Sequence, residues 1–257
     1  MSALNNLCPH CQDTGYVLKD NWTAQECMCL EQKRLHARLK NSLIPDEFQE
    51  ATFHNYSTHH SVQKKLLKAA LQYINQFPSI HDQASNSLGF IAKVGEQKIR
   101  SVNNLVEKRK LKERHNSFGL GKTHLKIAIA KHLMKQGISV LVISDATFMD
   151  ELMNVKMCED QNIFSQLLET VTKVPVLVWD DIGKANPSEA KKSAYFRIIN
   201  DRCRKRRPIL FSSNEDLETL AFRIGDGAAS RLFGMSEKRL YLVEGPDYRM
   251  KGKNNSL

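Results

Sequence analysis

The chain has 257 residues, 41 % of them hydrophobic, with 38 Lys and Arg against 28 Asp and Glu and a net charge of +10. That apolar content supports one large domain, or a large and a small one, while no apolar run reaches the ~18 residues a membrane span needs. The basic balance favours an anionic partner such as nucleic acid, and the opening MSALNNLCPHC lacks a basic-then-apolar export pattern, so a cytoplasmic location is expected.

Four of the six cysteines fall in the first 30 residues, as Cys8-Pro-His-Cys11 and Cys27-Met-Cys29. Two thiolate pairs at this spacing suit one tetrahedral ion, so Cys8, Cys11, Cys27 and Cys29 are expected to hold structural zinc; free thiols or a redox pair are the alternative. Such a set has no open position for catalysis, and His10 reads as filler. Residues 13–15 suggest a turn and 16–18 a short strand. A unit this small has little core, so metal would supply its folding energy.

Residues 30–43 read as a basic helix, either a solvated connector or a nucleic-acid contact, and close a zinc-binding domain of residues 1–43. Residues 44–257 form the second domain. Pro45 breaks the helix, and Phe48, Phe53 and Tyr56 mark an extended lead-in packed against the body of that domain. The apolar spacing predicts a helix over 61–77. A polar loop at 79–87 leads to a buried strand at 88–94.

The next motif is Gly119-Leu120-Gly121-Lys122-Thr123. Glycines let backbone N–H groups approach phosphate, Lys122 supplies charge to the β- and γ-phosphates of ATP, and Thr123 offers a hydroxyl to Mg²⁺. The residues from Thr123 to Gln136 have helical spacing, which aims a helix N-terminus at the anion.

The G-x-x-x-x-G-K-[ST] pattern wants glycine at 116, where the chain has Asn116. Residues 108–115 are no buried strand. Lifting out 98–118 leaves LGFIAKV-GEQGLGKTHL, a strand, a complete phosphate loop and a helix. Residues 98–118 are therefore read as an insertion, with Gly95 as the first glycine and a nucleotide-binding residue. The insertion carries seven Lys or Arg and two Glu, half of the net charge. It is expected to stop Gly95–Gln97 from wrapping the β-phosphate, so that ATP binds more weakly than in a chain lacking 98–118. A helix over 102–114 swinging outward is another expectation. The competing reading keeps the loop contiguous, with Asn116 replacing the glycine, since Asn tolerates positive φ.

Strands are then expected at 138–144, 174–178, 208–212 and 239–243, with helices at 146–152, 163–171 and 187–206. This alternation argues a parallel α/β sheet covered on both faces. The run VPVLVWDDIG delivers Asp180 and Asp181 to a strand's C-terminal edge. Asp180 would hold Mg²⁺ through water and Asp181 would orient the attacking water; a plain acidic strand end is the alternative. Asn214 is the candidate for positioning that water, against a turn-forming role. Arg231, with Arg223 second, would reach the γ-phosphate of a neighbouring subunit, against a surface ion pair. Arg249 is a candidate phosphate contact within the chain.

Taken together, CPHCQDTGY, IPDEFQEATFHNY, GLGKTHL, VLVWDDIG, SSN, ASRLFG and GPDYR resemble the DnaC/DnaI-type helicase loaders. These are AAA+ ATPases close to the IstB transposition helpers. The resemblance covers nearly all of the chain except 98–118. It implies a five-stranded AAA+ core with order 5-1-4-3-2, Asn214 as sensor I and Arg231 as arginine finger. It also implies an N-terminal zinc domain gripping a DnaB-type replicative helicase, and self-association on single-stranded DNA. Asp181, one methylene shorter than the Glu common in such ATPases, implies slower hydrolysis. A non-hydrolysing helicase/DNA adaptor and an IstB-like transposition helper remain alternatives.

Overall fold

The computed structural model describes residues 8, 11, 14–19, 23–27, 30, 43–158 and 161–245. Cys29, His10, the 31–42 core of the expected basic helix, and Arg249 lie outside the described residues.

In the N-terminal unit, β1 (Tyr16–Leu18) pairs antiparallel with β2 (Ala24–Glu26). Both strands are exposed along their length, while Cys11 and Cys27 beside them are buried. The main sheet holds β3 (Leu88–Ala92), β4 (Val140–Ser144), β5 (Val176–Asp180), β6 (Ile209–Ser213) and β7 (Leu240–Val243). Its order is β4-β5-β6-β3-β7 and every pair is parallel. Counted from β3 this is the expected 5-1-4-3-2. β3 and β6 are buried at every position, as strands covered on both faces must be.

Nine α-helices are seen among the described residues: α1 (Ser61–Ile80), α2 (Glu96–Arg100), α3 (Leu105–Arg114), α4 (Lys122–Lys135), α5 (Asp145–Met157), α6 (Gln161–Lys173), α7 (Glu189–Arg204), α8 (Leu217–Ile224) and α9 (Asp226–Ser236). On one face of the sheet, Leu66, Tyr73 and Phe77 of α1 pack with Ile127 and Leu133 of α4. On the other, Met149, Ile198 and Leu232 of α5, α7 and α9 pack around Trp179. No described helix is long and apolar enough to cross a membrane.

Three differences from the expected elements have physical reasons. Helix α1 continues through Pro78 to Ile80, because proline in the last turn removes one backbone bond while Phe77 and Ile80 stay buried. Helices α8 and α9 occupy a stretch where no element was expected. Asp216 caps α8 by accepting from the Thr219 N–H at 3.0 Å, and Gly225, at φ +90°, separates the two helices. The expected helix at 102–114 starts later, at Leu105, where Asn104 caps it by accepting from the N–H groups of Val106 and Glu107. Its Leu105 and Val106 are strongly exposed, and no residue of α3 is buried.

Candidate functional site

After β3 the chain makes the α2–α3 excursion and returns at His115 before entering α4. The two ends of the excursion are clamped together. Glu244, just past β7, accepts from Lys93 Nζ at 2.7 Å and pairs with His115 Nδ1 at 2.8 Å. Those hydrogen bonds hold its carboxyl below the usual range.

Asn116 then fastens the start of the phosphate loop. The Gly245 N–H donates to its carbonyl at 2.8 Å, and its Nδ2 donates to the Gly245 carbonyl at 2.9 Å. Its side chain also accepts from the Phe118 N–H at 3.1 Å and donates to the Phe118 carbonyl at 2.7 Å. Residues 117–124 line a cavity of about 390 Å³ together with Glu47, Phe48, Asp180, Asp181 and Asn214. Gly95 is not among the lining residues: its N–H donates to Asp216 Oδ2 at 2.9 Å, and a Cβ there would sit 2.6 Å from the same oxygen. Within 98–118, Ser117 and Phe118 belong to the cavity wall, so a deletion of that whole segment would also remove part of the site.

Gly121 needs its lack of a side chain. It caps α4 at φ +79°, and a Cβ would lie 2.4 Å from Tyr56 Cε2. The Tyr56 hydroxyl donates to the Leu120 carbonyl at 2.7 Å, so the aromatic lead-in fixes the loop from outside. His124 Nε2 lies 2.7 Å from the Thr52 carbonyl, bracing the first turn of α4 against the same lead-in.

Around the cavity floor the polar side chains form two networks, joined where the Asp181 N–H donates to Ser212 Oγ at 3.4 Å. Lys122 Nζ donates to Asn214 Oδ1 at 2.6 Å and to the Ser213 carbonyl at 3.3 Å. Ser117 Oγ donates to the same Asn214 oxygen at 3.2 Å, and Asn214 Nδ2 donates to Asp181 Oδ1 at 2.8 Å. The Thr123 hydroxyl lies 3.0 Å from both oxygens of Asp180. Lys126 Nζ reaches Asp180 Oδ1 at 2.5 Å and Ser212 Oγ at 2.6 Å.

The two neighbouring carboxylates are driven apart. Burial alone would raise Asp180, but the charge and hydrogen bond of Lys126, with Ser212 and Thr123, hold it below the ordinary range. Asp181 is raised, by burial first and by the Asp180 charge second. Asp181 also sits at φ +52°, an uncommon backbone for a non-glycine residue, in the turn just past the β5 edge. The Thr123 hydroxyl and Asp180 carboxylate are adjacent hard oxygens and fit Mg²⁺ beside a polyphosphate.

A larger groove, about 960 Å³, lies where Ile138, Pro175 and Pro208 precede β4, β5 and β6. It contains none of these groups, and open α/β sheets bind ligands at the opposite, carboxyl edge.

The profile of the IstB-like ATP binding proteins matches residues 95–254. The chain belongs to this family. It is 25 % identical over 194 residues to the replicative helicase loader DnaC of Buchnera aphidicola subsp. Schizaphis graminum, covering 76 % of this chain and 68 % of the relative. It is 27 % identical over 188 residues to the replicative helicase loader DnaC of Escherichia coli K12, covering 72 % and 63 %. Among solved structures, the DnaC helicase loader superposes with TM-score 0.56 at 20 % identity, over 77 % of this chain and 98 % of that one. DnaI gives 0.53 at 22 % identity, over 80 % and 94 %. These structural likenesses assign the AAA+ P-loop NTPase fold.

In this IstB-like chain, Gly119, Gly121, Lys122, Thr123, Asp180, Asp181 and Asn214 meet at one cavity. Arg231 does not line it. Its Nε donates to Asn200 Oδ1 at 2.9 Å, its Nη1 to the Gly227 carbonyl at 2.9 Å, and its guanidinium lies 4.7 Å over the Phe196 ring. Arg223 is buried and bonded to the carbonyls of Gly183, Lys184 and Ala185, a brace for the loop after Asp181.

Sequence reasoning missed Lys126, Glu47 and Phe48. Lys126 had a signal: it lies one turn past Lys122 and so faces the same way. In the N-terminal unit, the Cys8, Cys11 and Cys27 sulfurs lie within 4.8 Å of one another. The Gly15 N–H donates to Cys11 Sγ at 3.4 Å. Soft thiol donors at this spacing fit zinc, with Cys29 the fourth candidate beyond the described residues.

Proposed function

We propose that this chain is an ATP-dependent loader of a DnaB-type replicative helicase onto single-stranded DNA. The observation that carries the reading is the convergence of Lys122, Thr123, Asp180, Asp181 and Asn214 on one cavity in a chain whose curated relatives are named replicative helicase loaders. The loop amides and the Lys122 ammonium hold the β- and γ-phosphates. Thr123 and Asp180 hold Mg²⁺, which supplies charge neutralisation at the phosphates. Asn214 fixes Asp181, and the pair orients the attacking water. Arg231, half-buried outside the chain's own cavity, serves a neighbouring subunit. Arg249 adds a phosphate contact, and Gly95 shapes the loop only indirectly, through the Glu215–Asp216 carboxylates. Cys8, Cys11, Cys27 and Cys29 bind zinc in a unit that grips the helicase. The work takes place in the cytoplasm.

A second reading is a nucleotide-binding adaptor that bridges helicase and DNA without turnover. The Lys126 contact on Asp180 favours it, because that carboxylate is already paired. Two measurements test the proposal: co-purification with the cell's replicative helicase, and ATP hydrolysis with and without single-stranded DNA. A loader binds the helicase and turns over ATP. Helicase binding with no turnover in either condition supports the adaptor, and capture of a transposase in place of the helicase removes both readings.

A further inference from the structure

Helix α4 carries two lysines four residues apart: Lys122 lines the cavity, and Lys126 lies beneath it against Asp180. Lys122 is 7 % exposed and Lys126 is completely buried. The rest of the inner face of α4 is apolar, with Leu125, Ile129 and Leu133 all fully buried. A charge at that depth is costly unless it is paired and hydrogen-bonded. Lys126 is both: it donates to Asp180 Oδ1 at 2.5 Å and to Ser212 Oγ at 2.6 Å, with the Trp179 carbonyl at 3.4 Å. Ser212 in turn donates to the same Asp180 oxygen at 2.9 Å. The carboxylate that would serve a metal therefore has one oxygen held by an internal ammonium, a serine and Thr123.

We propose that Lys126 is a positioning residue of the nucleotide site: a built-in cation that fixes Asp180 and relaxes the dependence of nucleotide binding on Mg²⁺. This rests on the reading of the cavity as a nucleotide site. Coulomb attraction in a poorly solvated site has two consequences here. A polyphosphate meets the Lys122 ammonium beside a carboxylate whose repulsion Lys126 has already cancelled, so it binds metal-free. A divalent ion meets a carboxylate whose charge is already matched, so it adds less. An ion pair serving only the core would stabilise the fold and leave the metal dependence of binding untouched.

The test uses the full chain and a fluorescent ATP analogue, titrated in EDTA and at stepwise Mg²⁺. Wild-type affinity is expected to fall by less than about tenfold when Mg²⁺ is removed. Lys126→Met keeps the volume and removes the charge; it is expected to lose about tenfold in metal-free affinity and to reach half-saturation at about tenfold lower Mg²⁺. A folded Lys126→Met chain with unchanged EDTA affinity and unchanged Mg²⁺ midpoint overturns the inference. So does a wild-type chain that loses more than tenfold in EDTA, which decides the matter if Lys126→Met and the hydrogen-bonding variant Lys126→Gln both fail to fold. Failure of the wild type to bind nucleotide in either medium overturns the nucleotide reading itself, and the role of Lys126 with it.

Discussion

The Lys122 ammonium donates to Asn214 Oδ1 across 2.6 Å, and the other end of that amide donates to Asp181 at 2.8 Å. The phosphate-loop lysine and the acidic edge of β5 are thus joined through one side chain from the end of β6, the strand between β3 and β5. On the proposed roles, removing the lysine deletes a phosphate contact, whereas removing the amide frees Asp181 and leaves the Lys122 ammonium in place. Lys122→Ala is expected to abolish nucleotide binding in calorimetry. Asn214→Ala is expected to keep affinity within a few-fold and to lower the hydrolysis rate by about 10²-fold, the range seen when one oriented polar group is lost. Equal losses of affinity in the two variants would refute this division of roles.

The contact between Gly121 and Tyr56 predicts a stability effect separable from chemistry. Gly121→Ala forces a Cβ to within 2.4 Å of the Tyr56 ring at positive φ and is expected to cost roughly 1–3 kcal/mol in urea unfolding. Tyr56→Phe deletes a hydrogen bond to the Leu120 carbonyl and costs about 1 kcal/mol. Nucleotide saturation should recover part of each loss, because a ligand bound only by the native state stabilises it.

The α2–α3 excursion is closed at its base by Glu244, and α3 buries nothing. Replacing residues 98–114 with a short glycine–serine linker, while keeping His115 to Thr123, should leave nucleotide affinity within about threefold, since closing a shorter loop changes little entropy. The same change removes seven cationic side chains. Single-stranded DNA affinity should fall by at least about tenfold, with a shallower salt dependence. Unaltered DNA binding would show that the excursion is a spectator.

The clustered sulfurs of Cys8, Cys11 and Cys27 predict one zinc per chain by metal analysis. Cys11→Ser should lose the metal and the helicase interaction while the melting transition of the AAA+ domain is retained, because metal ligation carries the folding of so small a unit. Full zinc content in Cys11→Ser would place the metal elsewhere.

Asp145 offers a pH signature. Its buried carboxyl accepts from Trp179 Nε1, the Tyr195 hydroxyl and the Ala185 N–H, yet burial pushes its pKa up to about 6. The folded state thus binds this proton more tightly than the unfolded chain does. The stabilisation is present at low pH and is lost as pH rises through about 6. Asp145→Asn removes the titration, so its cost should be larger at pH 5 than at pH 7.5 by roughly 1 kcal/mol. A penalty that grows with pH would contradict the burial argument.

Much of this was legible in the chain. Periodicity located the five strands of the main sheet within two residues, because strands covered on both faces carry continuous apolar runs, as at 209–211 and 176–179. The grouping of Lys122, Thr123, Asp180 and Asp181 at one cavity was readable, because a glycine-rich helix start and an acidic strand edge each have a local spacing. Helices α8 and α9 were not, since their caps and the Gly225 break depend on what they pack against. The pattern also paired Gly95 with the loop, but in the folded chain Gly95 is bonded to Asp216 and Asn116 anchors the loop through Gly245. No linear spacing announces a loop start fastened by a strand that arrives more than a hundred residues later.

The sequence by itself determined the layered α/β architecture, the phosphate-loop lysine and the paired acids, because hydrophobic burial and anion binding each impose a local spacing. Only the tertiary structure decided that Lys126 rests on Asp180, that Asn214 bridges Lys122 to Asp181, and that the α2–α3 excursion closes on Glu244. Those contacts join different strands and helices, and their geometry is set by how the parallel sheet orders its strands.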